Sequence, residues 1–307
     1  MSQKNFARGI FWMILASSSF AIMAAAAKYC GRRLPVPEII LVRSLLSSIF
    51  IAFLIFKTKI SWRARGDPLP RPTCREQRLA AWVGKNPTIL ASRGAVGFVA
   101  LTLYFWAVSR LDLGTAVMLN YTSPIFALLL ARVFMGEHAG GSARAAVLIS
   151  FAGVYLLCAP HFQAQPAALI AGLLSGVLAG SVHVLIRQSH EEDSSLTIIF
   201  YFTAICTLGS ALMIGSSGLV QPTRGEWLAL GIVTLTSLLG QFGLTYALKC
   251  APVWVVTPFG YFTPIFGALL GWVLWKEPLN TWGLAGGILI ISGGALIYRS
   301  IRSWPET

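Results

Sequence analysis

Along the whole chain, runs of apolar residues alternate with short polar or proline-containing breaks. A helix crossing the hydrocarbon core of a bilayer needs about 20 apolar residues. Ten segments reach or approach that length: 9–27, 37–56, 88–109, 113–134, 145–159, 167–186, 196–214, 227–248, 253–275 and 282–298. The fifth is the shortest. Lipid supplies no partners for backbone N–H and C=O groups, so each segment should be an α-helix. The pattern therefore predicts an all-α polytopic membrane protein with ten transmembrane helices. Lys4 and Arg8 ahead of the first run imitate a signal peptide. We read that run as an uncleaved helix, because the repeat described next needs it as the partner of the sixth.

Residues 120–137 read NYTSPIFALLLARVFMGE, and residues 260–277, at an offset of 140, read GYFTPIFGALLGWVLWKE. Eight of these eighteen positions are identical: Tyr121/Tyr261, Pro124/Pro264, Ile125/Ile265, Phe126/Phe266, Leu129/Leu269, Leu130/Leu270, Val133/Val273 and Glu137/Glu277. Unrelated apolar helices share leucines and alanines, but not Tyr-x-x-Pro-Ile-Phe together with a terminal Glu. The register extends to Ala107/Ala247 and Gly153/Gly293. It maps the fourth span on the ninth and the fifth on the tenth, so the repeated unit holds five helices. Five is odd, so the second copy must enter the bilayer upside down. The expectation is a 5+5 inverted-topology repeat with halves 1–160 and 161–307, a sequence signature of secondary transporters with a substrate site where the copies meet.

Composition agrees and narrows the class. Hydrophobic residues make up 56% of the 307 and charged residues only 11%, against about 25% charged in soluble domains. The net charge of +13 comes from 24 Lys+Arg against 11 Asp+Glu. A basic surface stripe would suggest nucleic acid, but here the bases sort by side of the membrane. With the N-terminus in the cytoplasm, 16 fall inside: Lys4, Arg8, eight in the loop 57–87, Arg132, Arg144, Arg187, Lys249, Arg299 and Arg302. Six fall outside: Lys28, Arg32, Arg33, Arg110, Arg224 and Lys276. Such an excess of Lys and Arg inside sets orientation, so both termini are expected in the cytoplasm, in a bacterial inner membrane. No nucleic-acid partner is expected. The loop 57–87, with several prolines, reads as a solvated connector. Five scattered cysteines without a Cys-x-x-Cys pair suggest neither disulfides nor zinc. The four histidines show no ligand spacing, and no metal or cofactor is expected.

The ten-span plan and the paired Pro-Ile-Phe…Glu helices resemble the drug/metabolite transporter superfamily, specifically its EamA-type carriers. The resemblance covers nearly the whole chain. The opening Gly9…Ser17…Phe20…Met23…Lys28, followed by Leu34-Pro35…Glu38…Arg43-Ser44, is similar to the branch of S-adenosylmethionine and riboflavin carriers, and more loosely to amino-acid exporters. The resemblance implies transport of a small organic metabolite such as an amino acid, a nucleoside-type metabolite or a vitamin-like solute. It also implies a central cavity lined mainly by the first, third, fourth, sixth, eighth and ninth helices.

Two cations lie within spans, Arg43 and Arg93. Charge inside a bilayer is costly and rarely faces lipid, and a guanidinium offers a planar fork for carboxylate or phosphate. Each could instead be structural, snorkelling or binding helix-end carbonyls. Asn120, Tyr121, Tyr261, Gln241, Tyr246 and His183 also lie inside spans and should face the bundle interior, because a polar group in hydrocarbon needs a partner. Interhelical hydrogen bonding is the alternative use of His183 and Gln241. Tyr121 and Tyr261 stand out as repeat-equivalent. Pro124 and Pro264 each remove a backbone hydrogen bond and are read as kinks or hinges. Gly172, Gly176 and Gly180 form a small-residue face on the sixth span, read first as a close contact with another helix of the same chain and alternatively as a homodimer surface.

No carboxylate occupies the middle of a span, since Glu38, Asp112, Glu137, Glu226 and Glu277 lie at ends. A carboxylate proton relay is thus not visible, and there is no Walker loop for ATP. The reading is a facilitator or exchanger working by alternating access. Its rivals are a channel-like or structural membrane protein and an intramembrane enzyme, which would want a paired catalytic constellation.

Overall fold

The computed structural model describes residues 3–57, 82–111, 113–137, 139–158, 165–189, 193–215, 219–275 and 281–302. Most of the loop 57–87, and with it Asp112, Lys276 and Glu277, lies outside the described residues. The helices are α1 (Gln3–Cys30), α2 (Val36–Lys57), α3 (Pro87–Arg110), α4 (Leu113–Asn120), α5 (Ser123–Met135), α6 (Gly141–Cys158), α7 (Pro166–Gln188), α8 (Ser195–Ile214), α9 (Arg224–Cys250), α10 (Val253–Val256), α11 (Phe262–Trp275) and α12 (Thr281–Arg302). A 3-10 turn, Thr257–Tyr261, joins α10 to α11. Among the described residues, nine stretches are long and apolar enough to cross a membrane, and Gly141–Leu157 is a shorter apolar helix. Together these are the ten spans, with α4–α5 as the fourth and α10–α11 as the ninth.

The packing carries the symmetry of an inverted repeat. The main helix pairs are α1 with α9, α3 with α7, α2 with α8, and α6 with α12. Exchanging each span with its counterpart five spans later turns the first pair into the second and leaves the last two unchanged. The α6–α12 contact shows this atom by atom. A side chain at Gly153 would strike the Gly286 carbonyl and Ile290. One at Gly293 would strike Ser150 and the Ala146 carbonyl, the same residues shifted by 140. Glycine at both sites lets the two backbones touch, which is how membrane helices associate without a hydrophobic driving force between them.

The outer surface is apolar. Phe11, Ile49, Phe53, Leu129, Val133, Leu212, Leu228 and Leu235 are all exposed, as an integral membrane protein requires. The small face of the sixth span is used inside the chain. Gly172 and Gly176 on α7 meet Leu119, Asn120 and Thr122, and Gly180 meets Ser123, Phe126 and Ala127.

Ten crossings bring α12 back to the end where α1 began, called here the terminal end. At the far end, Thr223 and Glu226 form a reciprocal cap on α9, satisfying backbone donors that a helix start leaves unpaired. Arg33 pairs with Glu226 at 2.6 Å, and that hydrogen-bonded carboxylate raises the arginine above its ordinary pKa.

Candidate functional site

The site is built around the two broken spans. The fourth breaks at Tyr121–Thr122 and the ninth over Thr257–Tyr261. The sequence reading of Pro124 and Pro264 as kinks within continuous helices needs refinement. Each proline begins the second half-helix, in the first turn of α5 and of α11. At Pro124, the second residue of α5, the missing N–H is one that a helix start leaves unpaired, so proline is well accommodated there. The breaks leave polar groups at mid-depth. Ser17 Oγ donates to the Phe259 carbonyl at 3.1 Å. On the equivalent side, Asn120 Nδ2 donates to Ser175 Oγ at 3.0 Å. Tyr121 and Tyr261, 140 residues apart, meet with ring centroids 6.5 Å apart.

Above these breaks lies a cavity of about 640 Å³. Its walls come chiefly from α1, α3, α4–α5, α7, α9 and the ninth span, with single residues Leu157, Phe202 and Gly283 from α6, α8 and α12. It runs from Met13, Arg93, His183 and Leu244 at mid-bundle toward Lys28, Leu157 and Gly283 at the far end. Arg93 dominates the floor and is only 1% exposed. Its Nη2 donates to Gln241 Oε1 at 2.7 Å, and its guanidinium carbon lies 4.1 Å from the centre of the Phe202 ring. Gly97, one turn along α3, makes room for that ring: a side chain there would meet Phe202 at 2.9 Å. Among the described residues, Arg93 Nε and Nη1 and His183 Nδ1 are buried without a hydrogen-bond partner. A cation with unused donors at the edge of a cavity has the chemistry to hold an oxygen anion.

The sequence candidates divide cleanly. Arg93, Tyr121, Gln241, His183, Asn120, Pro124 and Pro264 line the cavity. Tyr261 is fully buried behind it, its hydroxyl without a partner among the described residues. Tyr246 lies outside, 39% exposed and stacked on Trp12 at 5.4 Å. Arg43 also lies outside the lining. Its Nη1 donates to Ser237 Oγ at 2.6 Å and contacts Met23 Sδ. Sequence reasoning quoted Ser17 and Phe20 only for the resemblance and did not name Tyr104 or Phe202, yet all four line the cavity. Among the described residues, no group of three or more His, Cys, Asp or Glu could hold a metal ion.

Below the floor, the terminal end is closed. Met13, Val182 and Leu244 cap an apolar plug with Ile186, Leu248, Val253, Val255 and Val256. Polar contacts seal its outer edge. Gly136, at φ 66°, turns the chain left-handed after α5, a conformation that glycine adopts without strain. The turn brings Glu137 to Arg187, with Oε1 to Nε at 3.2 Å. Its Oε2 accepts the Val253 backbone N–H at 3.0 Å, while Arg187 Nη1 donates to the Leu248 carbonyl at 3.0 Å. One ion pair thus ties α5, α7 and the α9–α10 junction together. Beside it, Lys249 Nζ donates to the Asp193 carbonyl at 2.6 Å.

Known proteins match this chain along nearly its whole length. The model of the EamA-like transporter family matches residues 7–159 and again 166–299. The chain is 29% identical over 284 residues to a pseudopaline exporter of Pseudomonas aeruginosa, covering 92% of this chain and 93% of that protein. It is 24% identical over 293 residues to a riboflavin transporter of Rhizobium johnstonii, with 95% and 91% covered. With an S-adenosylmethionine uptake transporter of Rickettsia bellii it shares 21% over 298 residues, with 97% and 95% covered. A solved crystal structure at 18% identity superimposes with a TM-score of 0.72 over 98% of this chain and 99% of that one, which shows a shared fold.

Proposed function

This chain belongs to the EamA-like transporter family, and from that premise we propose a carrier that moves a small organic metabolite by alternating access. The chain spans the membrane and its named relatives are transporters of small metabolites, so we read it as moving its substrate unchanged rather than as an enzyme. The 16-to-6 basic asymmetry supports cytoplasmic termini in a bacterial inner membrane. On that orientation the cavity faces the outside, and the Glu137–Arg187 seal closes the cytoplasmic side. The halves 1–160 and 161–307 act as the two rocking units, with the broken fourth and ninth spans between them.

The observation that carries this reading is a cavity that ends on an unsaturated arginine above an apolar plug. Transporter sites lie near the midplane at the repeat interface, often where helices are discontinuous. The substrate presents a carboxylate or phosphate to Arg93, with Gln241, His183, Asn120 and the Tyr121 region around it.

Cysteine accessibility tests the mechanism in a variant freed of native cysteines. Leu101→Cys on the cavity wall should react with impermeant reagent from outside the cell. Ile186→Cys, inside the plug, should be protected at rest and become reactive only from the cytoplasm during turnover. Glu137→Gln should raise that reactivity by loosening the seal. Reactivity of Ile186→Cys at rest with impermeant reagent applied from outside would mean a continuous pore and would end the carrier reading.

A further inference from the structure

The ionisable side chains in the described lining of the cavity are Lys28, Arg93, Tyr104, Tyr121 and His183. Of these residue types, only histidine ordinarily changes charge between pH 5 and 8. His183 lies on α7 at the floor of the cavity, near enough to Arg93 for the two to interact electrostatically. Its Nδ1 is buried without a hydrogen-bond partner among the described residues. On the same helix Val182 and Ile186 belong to the plug, and Arg187, one turn further on, belongs to the seal. His183 thus stands where the cavity gives way to the plug.

We propose that His183 takes up a proton when the anion binds and that both cross together, which makes the protein a proton–anion symporter. This rests on the anion floor at Arg93 put forward above and adds the coupling ion. In the empty site, a proton on His183 would set a second positive charge beside Arg93, and like charges repel in a partly desolvated cavity. An anion held by both groups offsets that repulsion. The proton comes from water on the outside and occupies the ring nitrogen that the neutral imidazole leaves unprotonated. When the plug opens, anion and proton leave to the cytoplasm and the imidazole returns to neutral. The helices packed against α7, chiefly α3, α4, α5, α9 and α10, bring no other charge to this level. Beyond Arg93, α3 has Arg110 at its last residue, and α5 has the exposed Arg132. On α9, Arg224 and Glu226 lie at one end and Lys249, bound to the Asp193 carbonyl, at the other. Neither α4 nor α10 has a charged residue. On α7 itself, Arg187 is paired with Glu137.

Proton uptake on binding can be measured directly, by titration calorimetry of the purified full-length protein in buffers of different ionisation enthalpy. The probe is 3-phenylpropanoate, a carboxylate that brings no proton of its own at neutral pH and has an apolar body for the wall of Phe20 and Leu101. Wild type should take up about one proton per bound anion. Its affinity should fall about tenfold per unit as the pH rises above neutral, the slope of one linked proton. His183→Gln and His183→Asn should bind the probe more weakly, with neither proton uptake nor that slope, and Arg93→Ala should not bind it. Arg93-dependent binding to wild type without proton uptake would overturn the coupling while sparing the anion floor. Uptake that survives in a cooperatively melting histidine variant would overturn the role of His183. Should neither variant fold, the wild-type uptake and slope still decide the coupling. No binding of the probe to wild type would overturn both this inference and the anion floor beneath it.

Discussion

The pocket around Arg43 and the floor around Arg93 hold the same side chain at similar burial, 3% and 1% exposed, and both guanidiniums approach the Phe202 ring, at 5.8 and 4.1 Å. Their surroundings differ in one decisive way. Arg43 is packed into protein, with Ser237 and Met23 against Nη1, and it does not line the cavity, although its Nε too is buried without a hydrogen-bond partner among the described residues. Arg93 has its Gln241 hydrogen bond and borders the cavity. A buried charge without a counterion is costly wherever it sits. Only at Arg93 can a passing anion relieve that cost, and relief that comes and goes with substrate is what a transport site needs. A cation inside a span is therefore a poor guide to function until its access is known.

Substitutions at the two arginines should separate these roles. The largest effect is expected from Arg93→Ala, which should cut uptake of an anionic substrate in liposomes on the order of a hundredfold or more, as loss of a buried hydrogen-bonded charge partner does. Arg93→Lys keeps the charge without the planar fork and should fall between Ala and wild type, with membrane insertion intact. Gln241→Leu comes next. It removes the acceptor that orients Arg93, so apparent affinity should weaken about tenfold, the scale of one hydrogen bond to a charged group. Direct binding would check this, and an unchanged affinity would mean that Gln241 does not position Arg93. The smallest effect on transport belongs to Arg43→Met. Replacing a buried ion by an apolar side chain of similar length is often neutral or stabilising. Affinity should stay within about twofold, and the melting temperature should hold or rise. A collapse of transport there would erase the distinction between the two arginines.

The contrast also marks how far the amino-acid sequence could be read. The ten spans were legible because hydropathy over about 20 residues is what the bilayer selects. The repeat was legible because Tyr-x-x-Pro-Ile-Phe keeps one register across 140 residues. The breaks at Tyr121–Thr122 and Thr257–Tyr261 were not, since a proline that starts a new half-helix looks the same in sequence as one that kinks a continuous helix. Tyr246 and Arg43 looked like site residues because both interrupt apolar spans. One turns toward the bundle surface and the other into packed protein, and the direction a residue faces depends on helix rotation. Phe202 and Phe20 were not taken as site residues for the opposite reason, as aromatics in a span resemble ordinary packing. Glu137 was noted as a repeat-equivalent residue at a helix end. Its role in the seal depends on Arg187 and Val253, which the fold brings to it from 50 and 116 residues away.

The most direct measurement of the central claim is a thermal-shift screen of purified wild-type protein and Arg93→Ala against the same metabolite library, because a ligand that binds the folded state raises its apparent stability. The account predicts that the stabilising compounds carry a carboxylate or phosphate, and that the Arg93→Ala protein, folded and melting cooperatively, no longer responds to them. Neutral or cationic compounds that stabilise both proteins equally would contradict it.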